Sequence, residues 1–165
     1  MAGRHKSCAA THKSKQQRKK KKVQPRTVQP FEGEIPGFDD TDILTNETVF
    51  SLTELPRRMV VIGGGPIGCE LAQVFAQLGS HVTQLERSER VLPREEFDAS
   101  ALVGDALQRD GVKICTKTQI VGLSQNGNHK VVSIKDKDGE HKISCDAILS
   151  AVGRAPNVKG MGLEA

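Results

Sequence analysis

Apolar and polar positions recur at two different periods along this chain, and the change of period divides it. Met59-Val60-Val61-Ile62 is a continuous apolar run that stops at Gly63-Gly64-Gly65. It reads as a strand buried on both faces and ending in a turn. Ile67, Leu71, Val74, Phe75 and Leu78 then recur every three to four residues and predict a helix. His81-Val82-Thr83-Gln84-Leu85-Glu86 predicts a second strand, and a polar loop runs on through Pro93. Glu95 to Asp110 predicts an amphipathic helix with Phe97, Leu102, Val103, Ala106 and Leu107 on one face, stopped by Gly111. Val112 to Thr116 predicts a third, short strand.

From Lys117 the period becomes two. Runs over 118–124, 130–135 and 140–145 are separated by Asn126-Gly127-Asn128 and Asp138-Gly139, the turn signals of an antiparallel meander. Ala147-Ile148-Leu149-Ser150 is short and apolar, a return to the parallel sheet, and Ala151 to Asn157 leaves it as a loop. The expected fold is α/β: a Rossmann-like parallel sheet with helices on one face and a three-stranded antiparallel β-meander on the other.

Composition changes the picture at the N-terminus. Residues 1–26 hold ten of the 24 Lys and Arg and no acid, leaving 14 basic and 20 acidic groups, a net of −6, on the other 139 residues. Residues 1–26 are expected to be a disordered basic tail, because they carry too little apolar surface to offset ordering entropy. Residues 27–58, punctuated by Pro30, Gly33, Pro36 and Gly37, are expected to be an irregular connector running over a neighbouring domain, with a short ordered element over Thr45–Phe50. Residues 59–153 form the expected nucleotide-binding domain, and 154–165 an exit segment. No apolar run is long enough to span a bilayer and no secretory signal is visible, so a reduced cytoplasmic setting is expected. Cys8, Cys69, Cys115 and Cys145 form no close pair, and the five histidines show no metal spacing. Neither a metal site nor a catalytic residue is assigned.

The candidate chemistry lies in the glycine cluster. Gly63, Gly65 and Gly68 fit G-x-G-x-x-G between a strand and a helix, with Gly64, Pro66 and Ile67 filling the motif. Gly63 permits the sharp turn, Gly65 lets a pyrophosphate approach bare backbone, and Gly68 lets helix and strand pack closely. The helix directs free N–H groups and the positive end of its dipole at the phosphates. Glu86 lies 18 residues past Gly68, at the end of the second strand. There a carboxylate holds the ribose hydroxyls of the adenosine half and repels a 2′-phosphate, which favours NAD over NADP. Arg87 and Arg90 follow at once and could pair with a phosphate if turned inward. Cys69, in the first helical turn, is expected to be a packing residue, although a helix dipole there can lower a thiol pKa.

Ile35-Pro36-Gly37, Leu55-Pro56-Arg57-Arg58-Met59-Val60-Val61-Ile62-Gly63-Gly64-Gly65, Ile67-Gly68-Cys69-Glu70 and Val152-Gly153-Arg154-Ala155-Pro156-Asn157 occur in an order that resembles the flavoprotein pyridine nucleotide-disulfide oxidoreductases. The resemblance, which covers about residues 27–165, implies their NAD(P)-binding domain. It implies a hydride passed from the nicotinamide to FAD and on to a redox disulfide. By it Glu70 matches a glutamate paired with a lysine near the flavin, Ile120 a position beside the adenine, and Gly153 a loop at the nicotinamide end. Pro66 stands where several members carry a tyrosine over the nicotinamide pocket.

The family's FAD-binding G-x-G-x-x-G, its CxxxxC pair, the lysine partner of Glu70 and the interface domain have no counterpart in these 165 residues. The expectation is therefore a nicotinamide-dinucleotide-binding segment that transfers no hydride alone. Residues 154–165 would lead toward an FAD domain absent from the chain, and FAD would be bound by the complete enzyme rather than by this segment. The alternatives are a truncated product served by a separate flavin-binding chain, and a non-catalytic adaptor whose basic tail reaches nucleic acid. The adaptor is disfavoured because no aromatics interleave the charges. No membrane partner is expected.

Overall fold

The computed structural model describes residues 35–153; the basic tail expected over 1–26 and the exit segment over 154–165 lie outside the described residues. Strand β1 (Arg58–Ile62) lies inside a four-stranded parallel sheet. It is flanked by β2 (His81–Leu85) and β7 (Ala147–Ser150), with β3 (Lys113–Cys115) at the far edge beside β2. Ile62, the last residue of β1, is level with Leu85 on one side and Ser150 on the other. The strands therefore end together, and the chain that leaves them gathers at one rim.

Both faces of the sheet are covered, which is why β1 reads as an unbroken apolar run. On one face Met59, Val61, Val82 and Leu149 are buried against Leu71, Ala72 and Phe75 of α1 (Pro66–Gln77) and Leu107 of α2 (Phe97–Arg109). On the other, Val60, Ile62, Leu85 and Ile148 meet Leu123, Val132, Ile134 and Cys145. These last come from the meander of β4 (Gln119–Asn126), β5 (His129–Asp136) and β6 (Gly139–Cys145). Two-residue loops join its strands, with Asn126 opposite His129 and Asp136 opposite Gly139. The fold class is the one read from the sequence.

The helix faces differ from that reading. Val74 of α1 and Leu78, which caps it, are 47% and 61% exposed; the buried stripe is Gly68, Cys69, Leu71, Ala72 and Phe75. Gly68 lies against the backbone of Gly63, so this side of α1 faces the strand and Val74 and Leu78 turn outward. Phe97 and Leu102 of α2 are exposed as well, while Ser100 and Leu107 are buried. The Ser100 hydroxyl donates to the carbonyl of Val91 at 2.6 Å, and the Phe97 ring instead receives the Arg90 guanidinium 5.6 Å from its centre.

Residues 35–57 hold one regular element, a 3₁₀ turn over Val49–Ser51, and they lie on the domain itself. Leu44 extends the sheet beside β7, donating to Ile148 and accepting from Ser150, each at 2.8 Å. Ile35, Phe38 and Ile43 pack against the meander-side core, and Val49 is buried on the helix side. Among the described residues no helix is long and apolar enough to cross a membrane.

Candidate functional site

The rim where β1, β2 and β7 end carries the glycine turn. Gly63 has a φ of +110°, a backbone that glycine adopts freely, and a Cβ there would stand 2.6 Å from the carbonyl oxygen of Ala151 as the chain leaves β7. At Gly64 a Cβ would stand 2.8–3.1 Å from the Glu86 side chain. At Gly68 it would collide with the Gly63 carbonyl. The fold itself demands these three glycines. Gly65 is different: its φ is −74°, open to any residue, and nothing lies within 4 Å of where its Cβ would be.

The turn's own polar groups are taken up inside the protein. Gly63 donates to Leu85 at 2.8 Å, and its carbonyl accepts from Gln84 Nε2 at 3.0 Å. Gly64 donates to Glu86 Oε2 at 2.6 Å, and its carbonyl accepts from the Leu92 amide at 2.7 Å. The first helical bond runs from Cys69 to the Gly65 carbonyl at 2.9 Å. The N–H groups of Gly65, Ile67 and Gly68 have no acceptor among the described residues; Pro66 has no N–H to place. This is the ordinary deficit of a helix N-terminus, and such donors are suited to an anion. The open cradle at Gly65 and these donors fit a dinucleotide pyrophosphate.

Glu86 is buried beside that mouth and accepts from Gly64 through Oε2 and from Ser88 at 2.7 Å through Oε1. Each carboxylate oxygen carries further lone pairs that ribose hydroxyls can use. The segment around it is fastened to the neighbouring loop. Glu86 donates to Cys115 at 2.8 Å, Thr118 to Glu86 at 3.0 Å and Lys117 to Ser88 at 2.8 Å. Lys117 Nζ pairs with Glu89 at 2.8 Å, which holds the Glu89 carboxyl below its usual range.

The structure thus brings Gly63, Gly64, Gly65, Pro66, Ile67, Gly68 and Glu86 to one rim. The others are more scattered. Glu70 and Arg87 are exposed, with no side-chain hydrogen bond or ion pair among the described residues. Arg90 is committed elsewhere, donating to the Glu95 carbonyl at 2.9 Å and resting on Phe97. Ile120 packs against the meander-side core, on the opposite face of the sheet from α1. Gly153, exposed with a φ of +140°, ends the described chain two residues past Ala151, the residue that lies on Gly63. Cys69 is buried; burial pushes its thiol up, and this outweighs the Gln84 hydrogen bond that pulls it down.

Two contributors were not picked out from sequence. Gln84 is fully buried beneath the turn, and its signal was available: an amide two residues before Glu86, on the strand face that helices cover. Leu92 adopts φ +47°, rare for a bulky side chain, to direct its N–H at Gly64. Nothing in local composition announces that. Among the described residues no group of three or more His, Cys, Asp or Glu could hold a metal ion.

Known proteins resemble this chain in sequence and fold. A family profile described as pyridine nucleotide-disulphide oxidoreductase matches residues 23–165. The chain is 38% identical over 136 residues to a dihydrolipoyl dehydrogenase of Bacillus subtilis, covering 82% of this chain and 29% of that protein. It is 36% identical over 135 residues to a mercuric reductase of Streptomyces lividans, covering 82% and 28%. Among solved structures it is similar to the HOCl-induced flavoprotein disulfide reductase RclA of Escherichia coli in its Cu(II) complex. There the TM-score is 0.70 at 34% identity, over 81% of this chain and 29% of that one. The chain therefore spans under a third of the length of these relatives.

Proposed function

Because the chain belongs to the pyridine nucleotide-disulphide oxidoreductase family, we propose that residues 59–153 are its nicotinamide-dinucleotide-binding segment, with NAD favoured over NADP. The observation that carries this reading is Gly65. Its neighbours need to be glycine for reasons internal to the fold, whereas Gly65 is not required by backbone angle or by packing. A missing side chain that the protein does not need is explained by a ligand that lies there.

In this reading the N–H groups of Gly65, Ile67 and Gly68 hold the pyrophosphate, and Glu86 accepts from the adenosine ribose. Glu86 also disfavours a 2′-phosphate, and Arg90, one of the two arginines that could oppose that preference, is tied to Glu95 and Phe97. Arg87 lies free at the surface to meet the adenosine side. The Gly153 exit lies toward the nicotinamide half, and Glu70 faces outward where a lysine from a flavin-binding chain or segment would meet it. When bound, the dinucleotide supplies a hydride. The flavin that takes it is proposed to be held by residues other than these 165, in a separate flavin-binding chain or segment, in a cytoplasmic setting.

The test is a calorimetric and fluorescence titration of the purified chain with NADH and NADPH. NADH is expected to bind the more tightly, and Glu86→Ala to weaken NADH more than NADPH. No heat and no fluorescence change with either ligand at millimolar concentration would overturn the reading.

A further inference from the structure

Gly63 C=O and Gly64 N–H are the two ends of a single peptide plane, and one strand holds both. Gln84 Nε2 donates to the carbonyl end at 3.0 Å, while Glu86 Oε2 accepts from the amide end at 2.6 Å. Residues 84 and 86 are two apart, so the pleat sends both side chains to the same face. Gln84 donates a hydrogen bond to one end and Glu86 accepts one from the other.

The plane has a reason to need holding. Neither Gly63 nor Gly64 has a Cβ, so the peptide between them can turn over at little steric cost. Turned over, its carbonyl would face the Glu86 carboxylate, acceptor against acceptor, and its N–H would meet Gln84 only if that amide also turned to present Oε1. Glu86 therefore selects the orientation, and Gln84 Nε2 secures it at the carbonyl end. That orientation fixes the direction in which the chain enters Gly65 and α1, and with it the aim of the free N–H groups.

Gln84 is otherwise hard to account for. It is fully buried, with Val61 and Ile114 opposite it on the flanking strands, a position where an apolar residue would cost less. Its Oε1 has no hydrogen-bond partner among the described residues. Beyond the Gly63 carbonyl, Nε2 has only the Cys69 sulfur, at 3.6 Å. Gly68 belongs to the same arrangement, since a Cβ there would displace the Gly63 carbonyl and stand 3.3 Å from Nε2.

We propose that Gln84 and Glu86 form a clamp on the Gly63–Gly64 peptide, and that Gln84 is a positioning residue for the phosphate-binding turn. Its geometry stands in the free protein, while its consequence for ligands rests on the dinucleotide reading above.

The experiment combines amide NMR of the free chain with binding of NADH, ADP and adenosine, for wild type and for the volume-conserving Gln84→Met. In wild type the Gly64 amide proton is expected far downfield and slow to exchange, because it is bonded to a carboxylate inside the protein. In Gln84→Met that proton moves upfield and exchanges faster, while Gly63, bonded to the Leu85 carbonyl, keeps its signal. NADH and ADP bind about ten-fold more weakly, the order expected for loss of one preorganising contact, and adenosine is unaffected.

An ordinary, freely exchanging Gly64 amide in wild type would overturn the clamp without any variant, and so stands even if Gln84→Met does not fold. Equal weakening of ADP and adenosine together with a lowered melting temperature would reduce Gln84 to a packing residue and overturn the proposal. An unchanged Gly64 signal in the variant would do the same. Should wild type bind no dinucleotide, the functional reading fails, and the Gly64 amide still decides the clamp.

Discussion

Gly64 and Gly65 are neighbours with the same side chain and different reasons for it. A Cβ on Gly64 meets the Glu86 carboxylate and its stem, whereas a Cβ on Gly65 meets nothing. Gly64→Ala should cost about 1–3 kcal/mol, the range for a substitution that forces a buried polar contact apart. Gly65→Ala should change stability by less than about 1 kcal/mol, since its backbone angles suit alanine and only a modest N-cap preference is lost. On the proposed function, Gly65→Ala should still weaken NADH by an order of magnitude or more, through steric exclusion of the pyrophosphate. Urea unfolding beside calorimetry separates the two effects; a Gly65→Ala protein that binds NADH normally would contradict them. In the sequence these glycines look alike, and only their distances to Glu86 and Ala151 tell them apart. Cys69 teaches the same lesson. Its place in the first helical turn suggests a lowered thiol pKa, but burial dominates and pushes it up. Cys69 should therefore resist iodoacetamide at mildly alkaline pH until the chain unfolds, which peptide mass mapping will show. Cys145, pushed up to about 11 by burial, should behave likewise.

At the scale of elements, the sequence pattern was sound about where helices and strands lie and weaker about how they are turned. The strands of the parallel sheet and the meander fall where apolar runs and turn pairs put them, because strand periodicity and two-residue loops are local signals. Helix rotation is not local. An apolar stripe through Ile67, Leu71, Val74, Phe75 and Leu78 is wide enough to allow several orientations. The contact between Gly68 and Gly63 decides among them by facing the Leu71 side to the sheet. The rotation predicts opposite outcomes for two leucines one face apart. Leu71→Ala, at 8% exposure, should lose about 2–5 kcal/mol with the cavity it leaves. Leu78→Ala, at 61%, should stay within about 0.5 kcal/mol of wild type. Chemical denaturation of both variants tests the orientation of α1, and a large loss at Leu78 would mean that it is wrong. Gln84 and Leu92 escaped for a related reason. One is recognised only when the strand face is known, and the other only when its N–H is seen to reach Gly64.

Across the whole molecule, distant parts are joined by carboxylates that are held in their charged form. Asp146, at the entrance to β7, takes two bonds from the Arg58 guanidinium and one from the Arg58 amide, tying β7 to the start of β1. The Arg58 guanidinium holds the Asp146 carboxyl below its ordinary value of 3.8. Asp110, at the end of α2, accepts from the Gln73 and Gln77 amides of α1 at 2.7 and 2.8 Å, and these hold it low as well. Glu89 joins the loop after β2 to Lys117 and is held below its ordinary 4.5. In each case the folded carboxyl binds its proton less readily than the unfolded one. Stability from these joints is therefore fully present above the unfolded values and is lost as pH falls through the lower, folded ones. Glu89 is exposed and Asp110 and Asp146 are half-buried, so each joint is weak and open to screening by salt. Because all three carry the same sign, the expected urea midpoint is level near neutral pH and declines steadily below about pH 4. Asp146→Asn should lower the midpoint at neutral pH and flatten the acid decline, because the lost charge no longer has a proton to take up. A wild-type midpoint that holds or rises on acidification, or an Asp146→Asn protein with the full wild-type slope, would show that these joints do not carry the linkage.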